Sequence, residues 1–503
     1  MSENKSKKEF SPLLKVSKTV DKQKLQKLKA LKEMGINTYP YAFTRTIFAS
    51  KIKEKFGHIK TGEKLEKEVY SIAGRIMLRR KMGKAAFMDI LDATGRIQVY
   101  IQKPELTKQE VNIFSNLDIG DIVGITGFIF RTNMGELSVH CQKLELLTKS
   151  LATMPEKFHG LADIELKYRQ RYLDLNMNEE VRETFKLRSK IFKEVRNFLD
   201  KRGFMEVETP ILQPIYGGAL AHPFKTHHRD LDATLYMRIS PELYLKKLTV
   251  GGLEKVYEIG KNFRNEGIDT THNPEYTAIE WYEAYTDYNY QMEQVEQLVE
   301  HVVKVTTGDT VVEYDNHKID FKAPWKRLSV YDGLREYAKI NPEIITKADL
   351  IREIKKYTNK IDEDKSHGEL LMELFDEAVE DKLIQPTFVI DHPVEVSPLT
   401  KMHRAHPKLV ERFESYAAGI ELSNAYSELN DPEDQAARFL EQEDKRGRDE
   451  EAHPMDKSFL HAIEVGLPPT GGVGIGLDRL VMIITGKKSI RDVIFFPTMK
   501  LID

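Results

Sequence analysis

The stretch "KVYEIGKNFRNEGIDTTHNPEYTAIEWYEAY", Lys255–Tyr285, decides how the chain is read. Its first half alternates, which puts Asn262, Arg264 and Glu266 on one face of an extended segment. A polar loop follows. The second half alternates again and puts Tyr276, Glu280 and Tyr282 on one face. Two such segments around a polar loop predict an antiparallel hairpin. A structural ion pair explains Arg264 with Glu266, but not Arg264, Glu266, Tyr276, Glu280 and Tyr282 converging on one face. That face suits a small ligand with an anionic centre, a flat ring and a cationic end.

Upstream, "RISPELYLKKLTVGG" (238–252) starts a helix, with Ser240 as N-cap, Pro241 at the first helical position and Glu242 in the first turn. Glu242 there either partners the helix dipole or faces the ligand. Downstream, "RFESYAAGIELSNAYSELND" (412–431) turns at Ala418-Gly419. Glu414 and Glu421 flank the turn, and Asn424, Tyr426 and Glu428 share a face. Strict alternation puts Glu421 on the wrong side of Asn424, so a bulge near Ser423 is expected. Two carboxylates so placed are exposed hairpin acids, or they hold Mg²⁺, which removes their repulsion. "TGGVGIGLDRLVMIITG" (470–486) is a glycine-rich strand-to-helix junction where a phosphate can approach backbone and Arg479 can clamp it. It lacks the Gly-Lys-Ser/Thr of a P-loop. "RGFMEVETPIL" (202–212) reads as a core strand after a helix end at Gly203.

Residues 69–148 are of a different kind. Short β-rich runs, among them "AAFMDILDAT", "RIQVYIQ" and "DIVGITGFIFRT", are punctuated by Met82-Gly83, Thr94-Gly95 and Met134-Gly135. Five strands with one helical connection near 105–117 predict a small closed barrel of OB type, with a sandwich as the alternative. Before it, Leu25, Leu28, Leu31 and Met34 recur at helical spacing among lysines up to Gly35. That is a solvated helix with one packed stripe, or a basic helix against a polyanion. The expected domains are a basic, partly helical extension (1–68), the barrel (69–148), a linker (149–160) and an α+β domain (161–503). "KADLIREIKKYTNK" (347–360) marks a helical insertion around 330–390.

The 503 residues have 41% apolar content, 76 Lys and Arg against 79 Asp and Glu, and one cysteine. This favours a multi-domain globular protein and excludes an internal disulfide or a cysteine zinc cluster. No apolar run approaches the roughly 20 residues of a membrane span, and no secretory signal is evident. A reducing, cytoplasmic location is expected.

Taken together, the chain resembles the class II aminoacyl-tRNA synthetases. "GFMEVETP", "NFRNEG…HNPEY" and "GVGIGLDR" are similar to motifs 1, 2 and 3, and the preceding barrel is similar to subclass IIb. "RISPELYLKKL", "IEWYEAY", "LSNAYSELNDPEDQ" and "IRDVIFFP" resemble the lysyl-tRNA synthetase family, over roughly residues 20–503. The resemblance implies a six- or seven-stranded antiparallel sheet flanked by helices, a homodimer built partly through motif 1, and the substrates ATP, L-lysine and tRNA(Lys). It implies that Arg264 holds the α-phosphate and the lysine carboxylate, Glu266 reads the adenine amino group and Tyr276 stacks on adenine, where the family usually has Phe. Arg479 and Gly476 lie at the phosphates, with His272 and Asn273 in the motif 2 loop. Glu414 and Glu421 are the implied Mg²⁺ ligands, Glu421 also lying at ATP. Gly218 and Glu242, with Glu280, hold the α-amino group of lysine. Tyr282 and Glu428 hold its ε-ammonium, and Asn424 and Tyr426 shape the pocket. In the barrel, Phe87 and Gln98 match the residues that stack on and read the middle anticodon base, with Arg79 close by in sequence. A core phenylalanine is the plain alternative for Phe87.

Overall fold

The computed structural model describes residues 13–154, 163–446 and 454–500. The first part of the basic extension (1–12) and the linker residues 155–160 lie outside it. The chain divides into two compact units, Met1–Gly160 and Leu161–Asp503.

In the first unit, helix α1 (Lys22–Glu33) starts where Asp21 accepts the backbone N–H groups of Gln23 and Lys24. It buries Leu25, Leu28 and Leu31, so the packed-stripe reading describes its geometry. Met34 does not join the stripe and is 48% exposed. The strands are β1 (Lys64–Met82), β2 (Ala85–Asp92) and β3 (Gly95–Gln102); helix α2 (Lys108–Asn116) follows, then β4 (Ile122–Arg131) and β5 (Leu137–Thr148). They close as β1-β2-β3-β5-β4, a barrel and not a sandwich. Alternation fills it: Met88, Val99, Ile125 and Val139 are fully buried, each contributing about 1.5–3 kcal/mol. Helix α2 starts at a Thr107–Glu110 capping box and sends Ile113 and Phe114 into the same core. β1 begins before residue 69, because Lys64 and Leu65 already pair with Phe130 and Ile129 of β4. The charged run "KLEKE" hides that start from a hydrophobic-pattern reading.

The second unit is built on one mixed sheet. In chain order its elements are α3 (Glu179–Asp200), β6 (Met205–Glu206), α4 (Glu242–Val250), β7 (Lys255–Phe263), β8 (Glu275–Ala284) and α5 (Tyr288–Thr307). Then come β9 (Lys326–Ser329), α6 (His367–Ala378), β10 (Thr387–Pro393), β11 (Leu409–Ala417), β12 (Ile420–Ser427), α7 (Lys457–Gly466), β13 (Thr470–Gly476) and α8 (Leu477–Thr485). The sheet has eight strands, in the order β9-β10-β11-β12-β13-β8-β7-β6. The six strands from β10 to β7 are antiparallel, as the resemblance implied. A short strand is added in parallel at each edge, β6 on β7 and β9 on β10. Thus "RGFMEVETPIL" is no core strand: it supplies a two-residue edge whose Met205 and Glu206 are exposed.

One sheet face is covered by α3, α5 and α8. There Tyr257, Ile279, Trp281, Phe413, Ala425, Val473 and Ile475 form the core. The opposite face carries the site. The inserted segment has its own core, in which Leu350 and Ile354 pack on Leu370, Leu374 and Phe375 of α6.

Candidate functional site

The register builds the site strand by strand. Asn262 of β7 pairs with Tyr276 of β8, and Glu258 pairs with Glu280. Across the next seam Ala278, Glu280 and Tyr282 pair with Gly476, Gly474 and Gly472 of β13. Gly474 and Gly472 pair in turn with Asn424 and Tyr426 of β12, and these with Glu414 and Arg412 of β11. Directly paired residues share a face. The "GGVGIG" run therefore has period two: Val473 and Ile475 enter the core, while glycines floor a trough between two polar walls. The trough encloses about 400 Å³ and is lined by Gly218, Glu242, Arg264, Glu266, His272, Asn273 and Tyr276 on one side. Glu280, Tyr282, Glu414, Glu421, Asn424, Tyr426, Gly476 and Arg479 complete it.

The bulge lies where Glu421 needs it. Ser415 pairs with Ser423 but Tyr416 pairs with Glu421, so Leu422 is the extra residue. Glu421 thereby joins Glu414 and Asn424 on one face.

Two local expectations need correction. β7 ends at Phe263, so Arg264 and Glu266 are loop residues and not strand residues. The Arg264 N–H instead donates to Pro274 O at 2.9 Å, across the mouth of the loop. Likewise α4 has Pro241 as its cap residue. Ser240 stands one position earlier, where its hydroxyl accepts the Glu242 N–H (3.0 Å) and donates to Glu280 (3.0 Å).

Three carboxylates converge at the α4 end. Glu242, Glu280 and Glu428 are all buried. Burial, and then the charge of Glu242, push Glu280 up to about 8. Burial also pushes Glu428 up, against the pull of Lys246. Glu428 Oε2 is ion-paired with Lys246, while its Oε1 is buried without a hydrogen-bond partner. The Tyr282 hydroxyl reaches Glu280 at 3.5 Å. Gly218 has φ +88°, and a Cβ there would come within 2.9 Å of Glu242 and Ser240.

At the other end, the Arg264 guanidinium lies 5.4 Å from the Tyr276 ring centroid, and its Nε is buried without a partner. Arg479 donates to Glu421 Oε2 (3.0 Å) and to His272 Nε2 (2.9 Å). A guanidinium has no acceptor, so His272 must accept there and carry its proton on Nδ1, which faces Asp269 Oδ2 at 2.8 Å. The amide of Asn273 is used within the chain: it donates to Glu275 O (2.6 Å) and accepts from Thr498 N (3.2 Å).

Glu414 accepts from Arg412 (2.5 Å) and Tyr416 (2.7 Å). Against its burial, Arg412 above all holds it well below the usual carboxylate range. Burial, followed by Glu421 and Glu414, pushes Glu380 up to about 7. Negative charge is thus in excess beside these two acids. Among the described residues no group of three or more potential ligands makes a closed metal cage.

Arg412, Lys246 and Glu380 escaped the sequence reading. Arg412 had a signal, sharing the period-two face of Glu414 in "RFE". Lys246 had one too, being four residues from Glu242 on a helix. Glu380 had none, since only the fold brings the insertion to the site.

On the barrel, β2 and β3 put Phe87 opposite Tyr100, ring centroids 4.9 Å apart, and Gln98 beside Ser138, which donates to it at 2.9 Å. Phe87 is half-buried on the outer face and is not a core residue. Arg79 does not share that face. It pairs with the buried Met88, and its guanidinium donates to Leu117 O (2.6 Å) and Phe114 O (2.5 Å) at the end of α2. Arg80 is the cross-strand neighbour of Phe87.

Known proteins agree with this anatomy. The family described as class II tRNA synthetases (D, K and N) matches residues 163–500, and the OB-fold nucleic acid binding domain matches 70–147. A lysine–tRNA ligase of Syntrophomonas wolfei is 50% identical over 481 residues, 95% of this chain and 96% of the relative. Lysine–tRNA ligases of Methanoculleus marisnigri (50%, covering 95% of both chains) and Thermoanaerobacter pseudethanolicus (51%, 94% and 95%) are similarly close. With motif order, barrel and buried carboxylates in agreement, this chain belongs to the lysine–tRNA ligase family of class II tRNA synthetases.

Proposed function

We propose that the trough activates L-lysine with ATP and passes it to the 3′ end of tRNA(Lys), with the residue roles that follow. A carboxylate oxygen of lysine attacks the α-phosphorus of ATP. The bond to the bridging oxygen breaks, and pyrophosphate leaves with its electron pair. A terminal ribose hydroxyl of the tRNA then attacks the lysyl carbonyl, and AMP leaves. Because the nucleophile is already an anion at neutral pH, the first step needs positioning and charge compensation instead of a general base.

Arg264 bridges the lysine carboxylate and the α-phosphate; its unpartnered Nε is free to meet an anion. Arg479 clamps the phosphate tail with Gly476, and His272 must leave Arg479 for that. Tyr276 stacks on adenine and Glu266 reads its amino group. Glu242 and Glu280, with the Gly218 carbonyl, take the α-ammonium. Glu428 and Tyr282 take the ε-ammonium, while Asn424 and Tyr426 shape the pocket. Mg²⁺ fits Glu414 and Glu421, because it is commonly held by one or two carboxylates plus substrate phosphates, and bound there it offsets charge on the phosphates. Phe87 and Gln98 of the barrel contact the anticodon.

The observation that carries this reading is the pair of buried carboxylates, Glu242 and Glu280, that line the trough together with Arg264, with the buried Glu428 set against Gly472 and Lys246 beside them. With Lys246 already between Glu242 and Glu428, a ligand with two ammonium groups and one carboxylate balances the remaining charges of the three acids and Arg264. The test is ATP–pyrophosphate exchange with lysine, aspartate and asparagine. Exchange with aspartate or asparagine and not lysine ends the proposal.

A homodimer fits the exposed apolar residues Met205, Ile211 and Leu212 of the motif 1 segment, and light scattering of Leu212→Glu against the parent chain checks it. A cytoplasmic location fits the single cysteine, Cys141, which is buried with its thiol pushed up to about 12 by burial. No helix among the described residues is long and apolar enough to cross a membrane.

A further inference from the structure

Lys246 stands on α4 one turn beyond Glu242, is fully buried, and ends between two carboxylates. Its Nζ donates to Glu242 Oε1 at 2.6 Å and ion-pairs with Glu428. The Phe459 ring of α7 lies 5.7 Å from the ammonium and closes its open side. Burying an ammonium is expensive unless it is fully compensated, so this lysine is held where both carboxylates surround it.

The two acids that share Lys246 are those assigned to opposite ends of the bound amino acid. Each is also walled from behind. Glu242 backs onto Gly218, where a Cβ would come within 2.9 Å of its own Cβ. Glu428 backs onto Gly472, where a Cβ would come within 2.1 Å of its Oε1. With the outer walls fixed by backbone, what separates the two carboxylates is the ammonium between them.

We propose that Lys246 is a positioning residue for substrate length: it sets the spacing between the Glu242 and Glu428 carboxylates, and so between the sites for the α- and ε-ammonium groups. The charges agree with this. Glu242, Glu280 and Glu428 make three negative charges. Lys246 and the two ammonium groups of lysine make three positive ones, and Arg264 meets the remaining carboxylate. A substrate one methylene shorter leaves one of the two acids short of its partner while Lys246 holds them apart. The inference rests on the lysine pocket proposed above.

The experiment is ATP–pyrophosphate exchange with lysine and with ornithine, in the parent chain and in Lys246→Arg and Lys246→Met. One methylene is worth about 10–200-fold in such discrimination. Lys246→Arg keeps the charge but carries a longer, planar head. Because the longer head holds the two acids farther apart, it is expected to raise the lysine-to-ornithine ratio of kcat/KM by about 10-fold, within that range, with KM for ATP unchanged. Lys246→Met, which loses both contacts and so the spacer, is expected to lower the ratio. A merely structural lysine predicts otherwise: reduced activity with the ratio intact in Lys246→Met, and arginine restoring the activity at the parental ratio. A parental ratio in Lys246→Arg, or a KM for ATP that rises in step with that for lysine, overturns the proposal. If Lys246→Met does not fold, Lys246→Arg decides alone. Failure of the pocket reading is a separate result: no lysine-dependent exchange in the parent chain.

Discussion

At the scale of single residues, the site is an electrostatic device waiting for a counter-charge. Glu280 illustrates it. Its carboxyl titrates near 8 because it is buried and faces Glu242. In the empty enzyme at pH 6–7 it is mostly protonated, yet a bound ammonium needs it ionised. Binding then releases a proton. The sign follows: lysine affinity rises with pH, by up to tenfold per unit, and levels off as pH passes the value of the empty pocket. The same carboxyl opposes folding of the empty enzyme as pH rises from the ordinary glutamate range towards 8, since the folded state holds the proton more tightly. Lysine is therefore expected to raise Tm more at pH 8.5 than at pH 6.5. Thermal scans with and without lysine at both values check this, and an equal increment would remove Glu280 from the pocket. Glu428→Gln tests the other end. Losing one partner of a buried charge pair costs about 2–5 kcal/mol, so KM for lysine should rise roughly 30-fold or more while KM for ATP stays put. Unmoved lysine kinetics would dissociate Glu428 from the substrate. These acids were legible in the sequence because they alternate on strands or begin a helix. Lys246 carried a spacing signal, four residues from Glu242, but its burial did not show, because a buried lysine on a helix looks like any solvated one until the fold closes over it.

At the scale of elements, β13 shows how a strand can be a floor. Val473 and Ile475 bury one face, and glycines leave the other empty. The sequence signalled glycines at a strand-to-helix junction, and the expected use was close phosphate approach. The alternation was there to be read, but a missing side chain gives no hydrophobic signal. The three positions are not equivalent. A Cβ at Gly472 would meet Glu428 Oε1 at 2.1 Å and Tyr282 Cε1 at 2.4 Å, whereas at Gly474 it would meet Glu280 Cγ at 3.4 Å. Gly472→Ala should lower the stability of the empty protein by about 1–3 kcal/mol through overpacking. Gly474→Ala should leave stability near the parental value and raise KM for the ligands that lie over it. Denaturant unfolding and exchange kinetics separate the two, and equal stabilities would mean the trough is deformable. The neighbouring strands divide in the same way. The bulge at Leu422 was foreseeable, because two acids and an amide could share a face by no other register. The end of β7 at Phe263 was not, since alternation runs on through Arg264 and Glu266 after the hydrogen bonds stop.

At the scale of the whole molecule, two folds carry two recognition problems. The closed barrel was legible from turn punctuation and period-two alternation, and the six antiparallel strands of the sheet from its hairpins and from the family resemblance. The short parallel edge strands were beyond reach, since two to four residues carry no period. In the proposed reading lysine activation needs only the trough, whereas tRNA charging also draws on the barrel surface where Phe87, Tyr100 and Gln98 stand together. An aromatic platform on the outside of a barrel, held by a neighbouring ring at 4.9 Å and flanked by an amide, suits a splayed base. Stacking of that kind is worth about 1–3 kcal/mol per base. Phe87→Ala is therefore expected to reduce kcat/KM for tRNA charging by roughly 5- to 150-fold and to leave lysine-dependent ATP–pyrophosphate exchange at the parental rate. Arg79→Ala provides the contrast. Its guanidinium fastens the end of α2, so its loss should lower the stability of the barrel before it touches tRNA. If Phe87→Ala instead depressed exchange and charging alike, or left charging untouched, the outer face of the barrel would have to be given up as the anticodon surface.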